Sequence, residues 1–146
     1  MKVSITRLPI AADLPLPEYE TPGAVGFDIC AAEEITVAPQ EIVRIKTGLV
    51  VKTPAGYALI VVPRSSTPKK KGLDMPHSIG IIDQDYCGPN DELQIQVRNF
   101  TLQPVTVTRG EKIAQGLFVR VDAAEWEELH PEKLPEMSRG GFGSTG

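Results

Sequence analysis

The amino-acid sequence predicts an all-β protein with one domain, and three observations support this prediction. Short apolar segments with period-two alternation recur along the chain, as at Leu93, Ile95 and Val97. Thirteen glycines and thirteen prolines form about 18% of the 146 residues, against roughly 12% on average, and they interrupt the chain too often for long helices. A chain of about 150 residues usually forms one domain. The fold classes that fit are a sandwich, a barrel or a jelly roll.

Ten segments of the chain are predicted to form strands. Residues 56–62 form a continuous apolar run between two prolines, which is typical of a buried strand. Residues 10–24 contain several prolines and are predicted to be an extended loop. Residues 122–129 have apolar positions at helical spacing, but a strand over 126–129 that returns across the sheet is favoured. The predicted strands cover residues 2–8, 25–32, 34–38, 41–52, 56–62, 79–86, 92–100, 104–108, 112–121 and 126–129.

Charge and composition exclude several classes of protein. The net charge of −4 and the sequence pI near 5.2 argue against a duplex-binding protein, which needs a basic face. No apolar stretch approaches the roughly 20 residues of a membrane-spanning helix, and the first residues lack the apolar run of a secretory signal. Cys30 and Cys87 have no paired spacing and are predicted to be buried free thiols. These features predict a cytoplasmic protein that binds neither nucleic acid nor a membrane.

The first candidate site directly follows the predicted strand 56–62. Arg64, Ser65 and Ser66 offer a bidentate guanidinium, two hydroxyls and backbone N–H groups, a combination that binds phosphate well. Three lysines follow at 69–71. The alternative interpretation is a solvated turn whose lysines serve solubility, and the spacing alone does not choose between the two.

The second candidate site contains two acids that follow Ile81 and Ile82. In a strand, Asp83 and Asp85 would face the same side, roughly 6.5–7 Å apart. Two carboxylates there must pair, bind an oxygen-preferring cation such as Mg²⁺, or transfer protons. For Asp85 the alternative is a turn cap before a glycine, and Tyr86 is either a core aromatic or a flat wall for a sugar or base.

Two further polar residues and the C-terminal segment complete the candidates. Asp28 lies inside an apolar strand and needs a partner there, for which an arginine suffices. Gln115 is either a core-facing amide or a ligand contact. Residues 138–146 are rich in glycine and small hydroxyls, so the segment is predicted to be mobile when unbound and is suited to wrap a polyphosphate. A zinc site is disfavoured because no ligand-pair spacing relates Cys30, His77, Cys87 and His130.

Five segments occur in a fixed order along the chain: AVGFDICA (24–31), PRSS (63–66), GIIDQDYCG (80–88), GEKIAQ (110–115) and RGGFGSTG (139–146). Taken in this order, they resemble the five ordered motifs of the trimeric deoxyuridine triphosphate nucleotidohydrolases (dUTPases). This resemblance implies a jelly-roll-like catalytic domain over residues 1–138, a Gly-rich tail at 139–146 that closes over the active site, and a homotrimer whose sites are shared between subunits. It implies hydrolysis of dUTP to dUMP and pyrophosphate with Mg²⁺, which limits uracil incorporation into DNA and supplies dUMP for dTTP synthesis.

The resemblance also implies roles for individual residues. Asp83 matches the general base that orients a water for in-line attack on the α-phosphorus, and Tyr86 matches the residue that packs on deoxyribose. Asp28 matches the acid linked to Mg²⁺ through water, and Phe142 matches the aromatic that covers uracil. The other substrate-binding residues that it implies are Arg64, Ser65, Ser66, His77, Ser78, Ile82 and Gln115, with Arg139, Gly143, Ser144 and Thr145 of the tail.

Two departures from the family pattern and two alternative functions remain. The last motif is two residues shorter between Arg139 and Phe142 than is usual, and Ser66 replaces a frequent glycine. One alternative is a relative that acts on dCTP, by deamination or by coupled deamination and hydrolysis. Another is a trimeric module that holds a deoxynucleotide or a partner protein without turnover. The acid at Asp83 and the retained tail favour the hydrolase.

Overall fold

A computed structural model describes residues 1–138 and residue 140, and it confirms the all-β class. Ten strands form within this part of the chain, together with one α-helix, α1, over Thr67–Lys71. Single turns of 3₁₀-helix lie at Pro9–Ala11 and Pro131–Lys133. The strands are β1 (Ser4–Arg7), β2 (Phe27–Cys30), β3 (Ile35–Val37), β4 (Ile42–Lys52), β5 (Tyr57–Pro63), β6 (Leu73–Asp74), β7 (Gly80–Ile82), β8 (Leu93–Asn99), β9 (Val105–Val107) and β10 (Lys112–Arg120).

The strands form two antiparallel four-stranded sheets and one separate pair. The first sheet has the order β1-β4-β8-β6, the second has the order β2-β10-β5-β7, and β3 pairs with β9. The inner faces of both sheets meet in one apolar core, to which β4 and β8 contribute Ile45 and Ile95, and β2 and β5 contribute Ile29 and Leu59. Each of these side chains is fully buried and contributes about 1.5–3 kcal/mol relative to an exposed position.

Period-two alternation correctly predicted which side chains of β8 face this core. Leu93, Ile95 and Val97 are buried, whereas Gln94 between them is exposed. Successive side chains of a strand point to opposite faces, so one face of β8 packs and the other stays polar. The strand therefore has only one register that keeps its apolar side chains out of water.

A bulge in β4 determines where the loop after β7 returns to the sheet. The pairing of β4 with β8 shifts between Lys46 and Leu49, and Gly48 between them has a φ of +65°. A Cβ at this glycine would overlap the side chain of Ala11. The Gly48 N–H donates to Glu92 Oε1 at 2.8 Å, which anchors the loop before β8.

Two of the predicted strands are wrong in whole or in part. Residues 121–130 have no regular structure, and Trp126 is 94% exposed, so no face among the described residues buries a strand at 126–129. The segment 79–86 stops being a strand at Ile82, because residues 84–85 form a turn in which the Cys87 N–H donates to Asp85 O at 2.9 Å. Asp83 and Asp85 are therefore not two positions of one strand face.

The helix α1 was not predicted, although its boundaries carry ordinary signals. Pro68 lies in its first turn, and Gly72 ends it in the left-handed conformation with a φ of +66°. The Gly72 N–H donates to Pro68 O at 2.9 Å. Proline near the start and glycine just after the end are typical of helices, but five residues leave no room for an apolar periodicity.

The two cysteines are less buried than the sequence predicted. Cys30 and Cys87 are free, as predicted, but each is half-buried rather than buried. Neither side chain belongs to the fully buried core, because Cys30 ends β2 and Cys87 lies in a loop. Within residues 1–138, no helix combines the length and the apolar character required to cross a bilayer.

Candidate active site

The Asp28 carboxylate lies between two cations at the edge of the second sheet. Its Oδ1 is 2.8 Å from Arg64 Nε, and its Oδ2 is 2.9 Å from Lys112 Nζ. The Asp28 side chain is only 15% exposed, so these contacts compensate a charge that is largely removed from water. The sequence predicted that Asp28 needs a partner and named an arginine as sufficient. It missed Lys112, whose position opposite Cys30 in the strand pairing was not available from spacing.

Strand pairing explains why Asp28, Arg64 and Gln115 lie together. Gln115 of β10 pairs with Asp28 on one side and with Val62 of β5 on the other. Arg64 directly follows the last residue of β5, Pro63. The three central residues come from three chain segments far apart in sequence, and antiparallel pairing brings them to one end of β5.

The Gln115 amide is held in a fixed direction at this site. Its Nε2 donates to Pro63 O at 3.1 Å. A Cβ at Gly26 would lie 2.9 Å from Gln115 Oε1, a distance too short for a real side chain. Gly26 therefore leaves the space in which the amide lies, and the Gln115 side chain is neither fully exposed nor part of the apolar core.

Ser65 and Ser66 form the turn that joins β5 to α1. The Thr67 N–H donates to Arg64 O at 3.0 Å, and the Lys70 N–H donates to Ser66 O at 2.9 Å. Neither serine hydroxyl takes part in a hydrogen bond to the part of the chain described. Both hydroxyls thus remain available as donors beside the Arg64 guanidinium.

Asp83 and Tyr86 line a different cleft, of about 260 Å³. The Tyr86 hydroxyl donates to Glu92 O at 3.2 Å, which turns its ring along the cleft. Farther along the same loop the Gly88 N–H donates to Asp91 Oδ2 at 2.7 Å. The cleft is open and its lining is mixed, with the exposed Asp83 acid beside apolar side chains; the other lining residues are Arg44, Ile81, Ile82, Glu92, Leu93 and Gln94.

The two groups of site residues lie at opposite ends of β5. In the antiparallel pairing of β5 with β7, Leu59 faces Ile82 and Val61 faces Gly80. Asp83 therefore follows β7 beside the beginning of β5, whereas Arg64 follows the end of β5. Six residues of strand separate these levels, or about 20 Å. One chain does not bring Asp83 and Arg64 to a common ligand.

His77 and Ser78 lie in the turn that precedes β7. Ser78 has a φ of +67°, and its N–H donates to Met75 O at 2.8 Å. The His77 ring is 3.5 Å from the Gln96 amide, measured from Nδ1 to Nε2. Both predicted residues are exposed next to the strand that precedes Asp83. The remaining predicted site residues, Arg139, Phe142, Gly143, Ser144 and Thr145, lie outside the described residues.

Two residues near Asp28, Lys112 and Cys30, have raised pKa values, for different reasons. Hydrogen bonding to Asp28, and then to Glu20, raises the pKa of Lys112 far above its usual range. Burial raises the pKa of the Cys30 thiol, although the nearby Lys112 charge opposes this effect. Lys112 is therefore a permanent cation, and Cys30 is a protonated thiol at neutral pH.

No carboxylate and histidine cluster suited to a metal ion occurs among residues 1–138. Both Asp28 oxygens already contact a cation, at 2.8 and 2.9 Å. This arrangement lacks the uncompensated negative charge that binds a divalent ion directly. It leaves room only for a contact through a water of an ion whose other ligands come with a substrate.

The fold and this site define an all-β protein with guanidinium, amide and hydroxyl donors arranged for an anionic ligand. A guanidinium beside two hydroxyls is typical of phosphate recognition. The chain belongs to the dUTPase family, because the family model described as dUTPase matches residues 12–146. The family predicted from the five ordered motifs is thus confirmed, and with it the enzyme class of hydrolase.

Two relatives are similar in sequence to this protein over most of its length. A deoxyuridine 5'-triphosphate nucleotidohydrolase from Lactococcus lactis subsp. lactis is 43% identical, covering 92% of this chain and 90% of the relative. One from Zymomonas mobilis subsp. mobilis is 36% identical, covering 100% and 98%.

Solved structures share the fold as well. The Streptococcus mutans dUTPase has a TM-score of 0.76 at 32% identity, covering 84% of this chain and 98% of that chain. The dUTPase of Staphylococcus bacteriophage 80alpha, solved with dUpNHpp, has a TM-score of 0.84 at 25% identity, covering 99% and 98%.

Proposed function

We propose that this protein hydrolyses dUTP to dUMP and pyrophosphate. The observation that carries the proposal is the convergence of Asp28, Arg64 and Gln115 at the end of β5, in a chain of the dUTPase family. The names of the relatives and the dUpNHpp complex of a phage relative support the same substrate. The reaction would limit uracil incorporation into DNA and supply dUMP for dTTP synthesis. Two free cysteines are consistent with a reducing, cytoplasmic location.

Arg64, Ser65, Ser66 and Gln115 bind the phosphate groups in this proposal. The Arg64 Nε atom lies 2.8 Å from Asp28 Oδ1, and the terminal guanidinium nitrogens bind phosphate oxygens in this proposal. The two serine hydroxyls are available next to it. Donors already in position for the charge that develops on the phosphate stabilise the transition state without reorganisation.

Asp83 is the proposed general base, and Tyr86 and the turn before β7 form the nucleoside pocket. The exposed Asp83 carboxylate takes a proton from a water that attacks the α-phosphorus in line, and pyrophosphate leaves. The Tyr86 ring, fixed through its hydroxyl, packs on deoxyribose. Ile82, His77 and Ser78 line the base, and backbone groups near the left-handed Ser78 supply donors and acceptors.

The separation of these two groups supports shared sites between subunits, in the homotrimer that the family resemblance implies. Arg64 and Asp83 lie at opposite ends of β5, about 20 Å apart along the strand. A substrate held by the Arg64 end of one chain must therefore meet the Asp83 loop of another. The ten strands of each chain form a jelly-roll-like fold in this proposal. Three chains related by a threefold axis form a closed ring that has three equivalent sites.

Magnesium enters this proposal with the substrate. Mg²⁺ keeps several waters and is commonly held by substrate phosphates, so the chain needs only to contact one of those waters through Asp28. When bound, the ion neutralises charge on the triphosphate. The protein groups then orient the phosphates and the attacking water.

Residues 1–138 are the proposed catalytic domain, and residues 139–146 the tail that closes over the bound nucleotide. The composition of the tail supports this division, since Arg139, Ser144 and Thr145 can contact phosphates and Phe142 can cover uracil. Closure of the tail would exclude water other than the nucleophile.

Pyrophosphate release with dUTP, dCTP, dTTP and UTP tests the function directly. We expect rapid release from dUTP with Mg²⁺ and little from the other three. Release from dCTP, or ammonia production, would instead favour the dCTP-acting relative. Tight dUTP binding without any release would identify a nucleotide-binding module and contradict the enzyme.

A further inference from the structure

The lysines of α1 differ in whether their charge is already compensated. Lys71 Nζ lies 3.0 Å from Glu111 Oε2 and also donates to Thr106 O at 3.0 Å. Lys69 and Lys70 are exposed, and neither forms an ion pair with residues 1–138. The helix therefore carries two free positive charges in a protein whose net charge is −4.

Lys70, but not Lys69, lines the cleft beside the proposed phosphate site. This cleft encloses about 110 Å³, several times the ~30 Å³ occupied by one water molecule. Lys70 lies one helical turn after Ser66 and Thr67, and residues three and four apart share a helix face. The cleft is lined by Arg64, Ser66, Thr67, Lys70, Lys71, Leu73, Glu111, Lys112 and Ile113.

The other cations around this cleft are already occupied. Arg64 and Lys112 both contact Asp28, and Lys112 also contacts Glu20 at 2.7 Å. Lys71 contacts Glu111. Within the described chain, Lys70 is thus the cation of this cleft that has no carboxylate within ion-pair distance to offset its attraction for an incoming anion.

We propose that Lys70 binds the phosphate groups of the nucleotide beyond the α-phosphate, and that it sets the preference of this site for a triphosphate over a monophosphate. This inference rests on the proposed function, because it takes the Arg64 and Ser66 turn as the phosphate site. A long flexible lysine with three donors suits the terminal phosphates, which carry the highest charge density of the nucleotide. Its contribution is to ground-state binding and to capture of the anion from solution.

A matched pair of variants separates this role from general charge. Lys70→Gln removes the cleft lysine, and Lys69→Gln removes an adjacent exposed lysine that does not line the cleft. For Lys70→Gln we expect the KM for dUTP to rise about fivefold with kcat little changed. The loss should shrink at high ionic strength, because screening weakens the interaction already missing in the variant. Lys69→Gln should change KM less than twofold, and Lys70→Arg should retain most of the affinity.

Inhibition by two anions provides the specificity test. Tripolyphosphate should inhibit the Lys70→Gln variant about fivefold more weakly than the parent, whereas dUMP should inhibit both equally. An unchanged KM in Lys70→Gln, an equal effect of Lys69→Gln, or an equal loss of dUMP inhibition would overturn the proposal.

The same variants distinguish failure of this inference from failure of the proposed function. If the parent protein releases no pyrophosphate from dUTP, the proposed function is wrong. Calorimetric titration with tripolyphosphate still compares three proteins, namely the parent, Lys70→Gln and Lys69→Gln. Weaker tripolyphosphate binding in Lys70→Gln alone would support the lysine as an anion ligand. Equal binding by all three proteins, or no binding by the parent, would refute it. Equal melting temperatures of the three proteins are the control for folding.

Discussion

The Arg64 guanidinium contacts the Asp28 carboxylate through its Nε, which lies 2.8 Å from Oδ1. This geometry uses only one of the guanidinium nitrogens for the structural contact. Of the terminal nitrogens, Nη1 makes a long contact of 3.5 Å with Lys112 O at the start of β10. Asp28 is therefore a positioning residue for Arg64, and it also balances the charge of Lys112.

Replacement of Asp28 tests this positioning. Asp28→Asn leaves Arg64 and Lys112 without their shared anion, so we expect a loss of about 1–2 kcal/mol in unfolding free energy, reduced by the partial exposure of Arg64. We also expect a higher KM for dUTP, because the guanidinium is no longer oriented. Glu20→Gln is the control, since Glu20 also pairs with Lys112, at 2.7 Å, but is 73% exposed and forms no ion pair with Arg64 among the described residues. Denaturant titration and steady-state kinetics make both measurements, and equal effects of the two variants would argue against the special role of Asp28.

Replacement of Asp83 tests the proposed base. Asp83→Asn keeps the shape of the side chain but cannot accept the proton, so turnover should fall by roughly 10²–10⁴-fold with dUTP affinity and melting temperature retained. The matched control is Asp85→Asn, which alters an exposed acid two residues away whose side chain does not line the Asp83 cleft. A small effect of Asp83→Asn on kcat would mean that another group activates the water.

The amount that sequence could predict differs between the sheets and the site. Alternation placed β8 correctly because Leu93, Ile95 and Val97 satisfy a local period of two. Residues 126–129 failed because a strand also needs a partner face, and Trp126 has none within the described chain. The pattern of apolar side chains indicates which residues of a segment can be buried. It does not indicate whether another element of the fold packs against them.

The site shows the same limit. The need of Asp28 for a partner follows from its own burial, so an arginine partner could be anticipated. Lys112 could not, because its approach depends on the pairing of β10 with β2 across more than eighty residues of chain. The distance between Asp83 and Arg64 could not be predicted from the sequence either, because it depends on the antiparallel pairing of β7 with β5.

Asn99 supports the fold at the junction of three segments. It is fully buried, and its Nδ2 donates to Val37 O at 2.9 Å and to Gln103 O at 2.7 Å. Its Oδ1 accepts from the Thr101 N–H at 2.9 Å and from the Thr101 hydroxyl at 2.7 Å. Asn99→Ala leaves several buried groups unpaired, so we expect a loss of about 3 kcal/mol. Thermal or urea unfolding checks this, with the exposed Gln94→Ala as control, and a change below about 1 kcal/mol would contradict it.

The ion pair of Asp13 with Arg109 predicts a pH-dependent contribution to stability. Arg109 donates to both Asp13 oxygens, at 2.6 and 3.1 Å, and also to Ile10 O at 2.8 Å. The hydrogen bonds from Arg109 lower the pKa of Asp13. A carboxyl whose folded pKa is depressed stabilises the fold above its unfolded value near 3.9, and the contribution is lost as pH falls through the folded value.

Melting temperatures therefore should separate the parent from Asp13→Asn only at higher pH. From pH 7 to pH 5 we expect a constant difference, with the parent more stable, and the difference should begin to close near pH 4. Asp122→Asn, at another exposed acid, should match the parent throughout. A difference that persists unchanged at pH 2.5 would show that the amide acts through altered hydrogen bonding, and that the carboxylate charge does not matter.

Mixed trimers test whether Arg64 and Asp83 act across a subunit boundary. Arg64→Gln and Asp83→Asn should each be nearly inactive alone. If one site takes Arg64 from one chain and Asp83 from another, random 1:1 trimers contain intact pairs in about a quarter of their sites. Refolding or co-expressing the two variants together should then restore up to that fraction of parent turnover, measured as pyrophosphate release. A site built from one chain contains no intact pair in any such mixture, because every chain carries one of the two substitutions. Separately assembled trimers, mixed without exchange, are the control, and absence of recovery in proven mixed trimers would contradict the shared site.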